Sequence, residues 1–290
     1  MVTEKDVTII IPTILNGGLN QEDFSRQKYA LDECLKSLDE TVPEMPKIIA
    51  SNGGSPIIYT NRKQIHVWDQ GQCKAVNAAV ATVNTKYVMV TNDDMIYPPG
   101  WWERVSSWYG TLFHPETDTV SPVLVEPRPG APTFEVYFCG GVGGDFDKEK
   151  FIEYDKKRHE EYKALPDGKE ATRSGFNLPF IISRELWDTV GGYDINYDPW
   201  GSNGDSDFEY KVKLAGGQSI QVVDWRVYHF SQTSGTFHPD NHAYWQRNFA
   251  YFKEKWGFDR TDDGIWEATF DIPKPPERIY TPEWEGKYKS

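Results

Sequence analysis

Tyr87-Val88-Met89-Val90-Thr91-Asn92-Asp93-Asp94 decides the fold: a short buried-strand run passes directly into three polar residues, two of them acidic. A short apolar run closed by turn residues reads as a buried strand. The same pattern recurs toward the N-terminus. Residues 7–11 form an apolar run that stops at Pro12, residues 47–50 form another cut by Ser51-Asn52-Gly53-Gly54-Ser55, and residues 65–68 form a third. Between these runs Leu31, Cys34, Leu35 and Leu38, and later Val76, Ala79, Val80 and Val83, recur at helical spacing. Strands alternating with helices predict right-handed βαβ units, hence an α/β fold with a mostly parallel, Rossmann-like central sheet flanked by helices. Ligands of such sheets bind beyond the carboxyl ends of the strands. That rule singles out Thr13, Asn52, Asp69 and the trio Asn92-Asp93-Asp94.

The second half is less regular. After Pro98-Pro99-Gly100 the pattern predicts a short helix with Trp101 and Trp102, extended segments at 119–125 and 134–139, a glycine loop at 140–144, and a solvated helix over the charged residues 148–163. A strand at 178–182, helices at 184–190 and 206–214, strands at 219–223 and 226–230, and a helix at 241–256 follow. The segment 258–290, rich in Pro, Glu and aromatics, is expected to pack irregularly on the domain; whether it acts as a lid, a homodimer contact or plain packing stays open. Neither a repeat nor a low-complexity linker interrupts the chain, so one domain over 1–257 is expected.

Composition narrows the function. The 290 residues include 31 Lys and Arg against 44 Asp and Glu, a net charge of −13. Such a chain repels polyanions, because nucleic-acid binding draws on clustered basic residues that neutralise phosphates. With 38% apolar and 26% charged residues it reads as globular. No stretch approaches the roughly 18 apolar residues of a membrane span, and the start lacks the order of a signal peptide, so a soluble, cytoplasmic protein is expected. Cys34, Cys73 and Cys139 are odd in number and far apart, which fits neither a disulfide framework nor a zinc site, so they read as reduced and mostly core. The 11 Trp, 16 Tyr and 15 Phe can fill a core or offer flat faces to a sugar or nucleobase.

Several chemistries lack their motif. There is no phosphate loop ending in Gly-Lys-Ser/Thr, no dinucleotide glycine spacing and no Gly-x-Ser-x-Gly elbow. Asp93 and Asp94 at a sheet mouth repel each other unless a cation joins them to something anionic, and oxygen ligands suit Mg²⁺ or Mn²⁺. An acidic turn is the plain alternative. Adjacent residues cannot flank a glycosidic bond as a hydrolase pair does. In Gly204-Asp205-Ser206-Asp207, Asp205 or Ser206 could simply cap the next helix. His229, inside a strand-like run, could equally be a core residue.

Taken in order, these segments resemble the inverting nucleotide-sugar glycosyltransferases of glycosyltransferase family 2, which have the GT-A fold. The matching pieces are Ile9-Ile10-Ile11-Pro12-Thr13, Ser51-Asn52-Gly53-Gly54, residues 71–77, Thr91-Asn92-Asp93-Asp94 with Pro98-Pro99-Gly100-Trp101, Gly191-Gly192-Tyr193-Asp194, Gly204-Asp205-Ser206-Asp207-Phe208 and His229. The late Tyr251-Phe252-Lys253-Glu254-Lys255-Trp256-Gly257 also matches, so the likeness runs from about residue 6 to 257. It implies a nucleotide-binding half at 1–100 and an acceptor-side half at 101–257. It also implies a hexosyltransferase that uses Mn²⁺ or Mg²⁺ to move a sugar from a nucleoside-diphosphate donor, UDP first among the nucleotides, to a hydroxyl of a glycan or glycoconjugate.

By position, the resemblance places Thr13 and Asn52 beside base and ribose, Lys74 near the diphosphate, and Asp93 at the ribose or metal region. It gives Asp94 and His229 to the metal, Asp205 to the catalytic base, and Trp187, Tyr193, Trp200 and Asp207 to the acceptor side. Three positions depart from the family. Ser51 or Asn52 stands where an Asp usually helps read uracil, Asn92 replaces the first acid of Asp-x-Asp, and Gly204 replaces the usual Glu before the base. Two other readings use the same sheet. A nucleotidyltransferase would need a basic glycine-rich loop after the first strand, and Asn16-Gly17-Gly18-Leu19-Asn20 has no Lys or Arg. A non-catalytic carbohydrate- or nucleotide-binding protein on a decayed GT-A fold is the other.

Overall fold

The computed structural model describes residues 2–14, 21–54, 58–110, 114, 116–129, 134–164, 171–231, 233 and 239–257, without the side chains of 21–23 and 240. In chain order the elements are β1 (Val7–Thr13), α1 (Gln21–Thr41), β2 (Lys47–Asn52), β3 (Lys63–Val67), α2 (Gln72–Ala81), β4 (Tyr87–Val90), β5 (Met95–Ile96), α3 (Trp101–Ser106) and β6 (Thr119–Glu126). There follow β7 (Glu135–Val136), α4 (Lys148–Lys163), β8 (Thr172–Ser174), β9 (Phe180–Ser183), α5 (Arg184–Val190), α6 (Gly204–Leu214), β10 (Ser219–His229) and α7 (His242–Trp256).

The ten strands make one sheet in the order β3-β2-β1-β4-β9-β6-β10-β5, with β7 beside β6 and β8 beside β10. The first four run parallel, as the alternating pattern predicts, with Ile10 level with Ile48 on one side and Val90 on the other. All seven residues of β1 are buried, the signature of a strand covered on both faces. Alternation along the strands divides the core. Ile9, Ile11 and Met89 pack with Leu31, Leu35 and Leu38 of α1, whereas Ile10, Val88 and Val90 pack with Val76, Ala79 and Val80 of α2 and with α5.

Several expectations need correction. β9 runs antiparallel to both neighbours, a direction that apolar periodicity does not encode. The two strands expected at 219–230 are one, with a register shift between Val222 and Arg226. That irregularity seats Trp225 in the core, stacked on Trp101 at 5.4 Å and 16°. Residues 134–139 pair only at Glu135–Val136, and the short β5 and β8 have no apolar run to announce them. The α4 helix is docked on one side: Phe151 and Ile152 are buried and Asp155 receives Arg104 at 2.7 Å. All three cysteines are buried and free. The glycine-rich segment 16–20 and the tail 258–290 lie outside the described residues. Among those described, no helix is long and apolar enough to cross a membrane.

Candidate active site

The parallel strands β1, β2, β4, β6 and β10 end at one edge of the sheet, and a cavity of about 390 Å³ opens there. Thr13, Asn52, Asn92, Asp93, Asp94, Glu126 and His229 line its sheet side. Tyr193, residues 199–203, Asp205 and Trp245 are among those that line it from the other side. Sequence order alone scatters these groups over more than two hundred positions; the βαβ topology gathers them.

Asp94 is buried, and its Oδ2 accepts a hydrogen bond from the Thr233 hydroxyl at 2.6 Å and faces His229 Nε2 at 3.4 Å. The other imidazole nitrogen, Nδ1, lies 2.7 Å from Glu126 Oε1. Burial acts against the charge on Asp94, but the His229 imidazole and the Thr233 hydroxyl bring its carboxyl below the ordinary value. Asp93 is pushed up to about 7, by burial first and then by the charge of Asp94. Burial disfavours the His229 imidazolium, yet Asp94 and Glu126 together raise its pKa to about 10. The sheet lip thus concentrates negative charge around the His229 ring.

That donor set fits a divalent cation. When Nδ1 donates to Glu126, a neutral His229 presents its Nε2 lone pair to a carboxylate oxygen, and two acceptors so close are stable only with a proton or cation between them. Among the described residues no cluster of three or more His, Cys, Asp or Glu side chains could hold a metal. A site with two protein ligands suits Mg²⁺ or Mn²⁺, which keep several coordination positions for water and substrate phosphate.

Asn52 is buried and engaged at both ends of its amide: its Nδ2 donates to the Thr13 carbonyl at 3.1 Å, and its Oδ1 accepts from Gly71 N–H at 2.9 Å. The next amides of α2 are also committed, since Cys73 N–H and Lys74 N–H donate to the two oxygens of Asp198 at 3.0 Å each. A Cβ on Gly71 would overlap that carboxylate. Lys74 does not line the cavity; its ammonium pairs with exposed Asp69 at 3.2 Å. The start of α2 is therefore braced by side chains of this chain.

Asp205 enters the cavity from the first turn of α6, partly exposed. The helix begins at Gly204, two residues earlier than the periodicity implies, and Asn203, at φ 67°, occupies the cap position without a side-chain capping bond. Asp205 is therefore not the cap; its Oδ1 accepts from the Ser206 N–H at 2.8 Å, and the positive end of the helix favours an anion there. Gly204 faces inward, where a Cβ would stand 3.2 Å from Cys73 Sγ, a tight contact that requires the thiol to yield.

The four acceptor-side expectations divide. Tyr193 and Trp200 line the cavity. Trp187 and Asp207 do not, and both have 0% exposure. Trp187, on the buried face of α5, packs against Phe208 and Tyr193. Asp207 Oδ1 accepts from Trp256 Nε1 at 2.8 Å and Tyr197 OH at 3.2 Å and pairs with Lys255 at 2.7 Å. Two residues along a helix point about 200° apart, so Asp205 and Asp207 face opposite ways. Glu126, Thr233 and Trp245 were not singled out in the sequence. A carboxylate that ends an apolar strand, as Glu126 ends β6, at the same sheet edge as Asp94 was the signal for the first.

No family model matches the sequence, and no curated protein is significantly similar to it. Solved structures are similar. GalNAc-T7, crystallised with UDP, GalNAc and Mn²⁺, superposes with a TM-score of 0.56 at 12% identity over 87% of this chain, which spans about half (48%) of that one. The mannosyltransferase PcManGT from Pyrobaculum calidifontis, in complex with GDP-Man and Mn²⁺, gives 0.52 at 16% identity, covering 91% of this chain and 68% of that one. S. aureus TarS 1–349 gives 0.51 at 12%, covering 89% and 73%. At these identities the likeness speaks for architecture, and the architecture is the GT-A fold of glycosyltransferases.

Proposed function

We propose that this chain is a metal-dependent, inverting glycosyltransferase of the family 2 type, moving a hexose from a nucleoside-diphosphate sugar to an acceptor hydroxyl. The observation that carries the reading is the convergence, in one cavity at the sheet edge, of Asp94 facing His229 with Asp205 of α6. Similar structures holding UDP or GDP-Man with Mn²⁺ support the donor class.

In this reading residues 1–100 receive the nucleotide, with Thr13 and Asn52 shaping the base and ribose side, and 101–257 receive the acceptor. Asp94 and His229 would hold Mn²⁺ or Mg²⁺, which when bound neutralises charge on the departing diphosphate. Glu126 fixes the His229 ring through Nδ1. Asp205 takes the proton of the acceptor hydroxyl as its oxygen bonds to the anomeric carbon from the face opposite the leaving group. The bond from that carbon to the diphosphate oxygen breaks, its electron pair leaves with the nucleoside diphosphate, and the configuration inverts. Holding both substrates in one cavity supplies much of the remaining barrier reduction.

The test is release of nucleoside diphosphate from UDP-, GDP- and dTDP-sugars with and without Mn²⁺. A slow, metal-dependent hydrolysis of one donor is expected without acceptor, and none at all would leave a binding protein. Asp205→Asn should keep donor binding and lower turnover by roughly 10² to 10⁴ fold.

A further inference from the structure

We infer that β3, at the open edge of the sheet, pairs antiparallel with β3 of a second copy of this chain, about a two-fold axis at His66.

β3 ends the strand order and is paired on one side, by β2. Val67 turns its carbonyl toward β2, where it accepts from Gly53 N–H at 2.9 Å. Backbone groups alternate along a strand, so those of Gln64, His66 and Trp68 point away from β2. Among the described residues no other backbone group bonds to them. Such a row is a template for another strand unless charge, proline or a bulge blunts it. β3 carries one charge, Lys63 at its start, and no proline. Its next four residues are half-buried, whereas β1, with a neighbour on each side, is buried throughout. Trp68, one residue past the strand, is 75% exposed and meets the His66 ring edge-on at 4.7 Å and 87°.

The segment 63–69 is complementary to itself. Pairing about His66 sets Lys63 opposite the partner's Asp69, Gln64 opposite the partner's Trp68, and Ile65 opposite the partner's Val67. The axis then falls on a residue whose N–H and C=O face outward, so the two His66 residues exchange both backbone bonds, as do Gln64 and Trp68. Opposite charges meet at each end, and apolar side chains meet between them. Moving the axis one residue loses this match: about Ile65 it sets Lys63 against Val67, and about Val67 it sets Asp69 against Ile65. Asp69 is held by Lys74 at 3.2 Å, yet 77% of its side chain is exposed and open to a second cation. A net charge of −13 disfavours most contacts between copies, whereas 63–69 holds one cation and one anion.

The experiment is sedimentation velocity on the full chain. One strand pair buries less than a standard interface, so a reversible dimer with Kd of about 1–100 μM is expected. Lys63→Glu and Asp69→Lys, each with an unchanged melting midpoint, should weaken it roughly fivefold or more, and the two together should restore it. The native cysteines are buried, so an added surface thiol reports the register. Under mild oxidation His66→Cys should give a covalent dimer, and Lys63→Cys should not, because its counterpart lies at the far end of the paired segment. Where a charge variant does not fold, the two cysteine variants decide. A chain that stays monomeric at several times that Kd range would overturn the inference. So would a dimer indifferent to both charge changes, a charge swap without recovery, His66→Cys that does not cross-link, or cross-linking through Lys63→Cys. Donor hydrolysis plays no part in these readouts, so the dimer and the transferase reading fail separately.

Discussion

Asp94 and His229 face each other across 3.4 Å with Glu126 and Thr233 fixing them from behind, so neither can turn away without breaking a buried hydrogen bond. Asp94→Asn and His229→Ala should each abolish the metal-dependent part of the stabilisation by UDP or GDP, read as the melting shift with and without Mn²⁺. In the wild type that stabilisation is about 2.7 kcal/mol at a hundred times Kd. Gly71→Ala should lower the melting midpoint, because the added methyl overlaps the Asp198 carboxylate that holds two α2 amides. At this scale the sequence pointed to Asp94, Asp205 and His229, which the fold brings to one cavity. It was misleading where neighbours on a helix face opposite ways, which is why Asp207 joins the interior with Lys255 and Trp256. Trp187 has the same origin: an aromatic on the inner face of a short helix belongs to the core.

The elements that shape the cavity wall are held by few bonds, and these are testable. Asn248→Ala removes the side-chain donor from the Ser202 carbonyl and leaves the Tyr197 carbonyl with the Gly201 N–H alone, and should cost on the order of 1–3 kcal/mol, measured by urea denaturation. Asp198, between α2 and the 198–203 loop, has its pKa pushed up to about 6 by burial, against the pull of the Cys73 and Lys74 amides. A raised carboxyl pKa means that the folded state holds the proton more tightly than the unfolded one, so stability falls as pH rises from about 4 to about 6 and is level above. Relative to Asp198→Asn, the wild type should lose on the order of 2–3 kcal/mol between pH 4 and pH 7; a constant difference would contradict this. The first four parallel strands with α1 and α2 were visible as apolar runs and helical spacing, and α4 as a charged stretch. The direction of β9 and the union of two segments into β10 were not, because both depend on partners distant in sequence.

Over the whole molecule, the winding of the chain matters more than any single motif. Four adjacent parallel strands, then β6 and β10 running the same way, bring residues 13, 52, 94, 126 and 229 to one edge while α6 and α7 supply the facing wall. The α/β class and the location of the site follow from local pattern plus the rule for strand ends. Glu126 and Trp245 were hidden, because a strand-terminal acid and an amphipathic-helix aromatic look ordinary until the sheet and α7 are assembled. The most direct measurement of the central claim is a crystal structure with Mn²⁺ and a nucleoside diphosphate, the ion located by its anomalous signal. It should show the metal on Asp94 and His229 and the diphosphate in the same cavity as Asp205; an ion bound elsewhere, or a nucleotide outside that cavity, would contradict it.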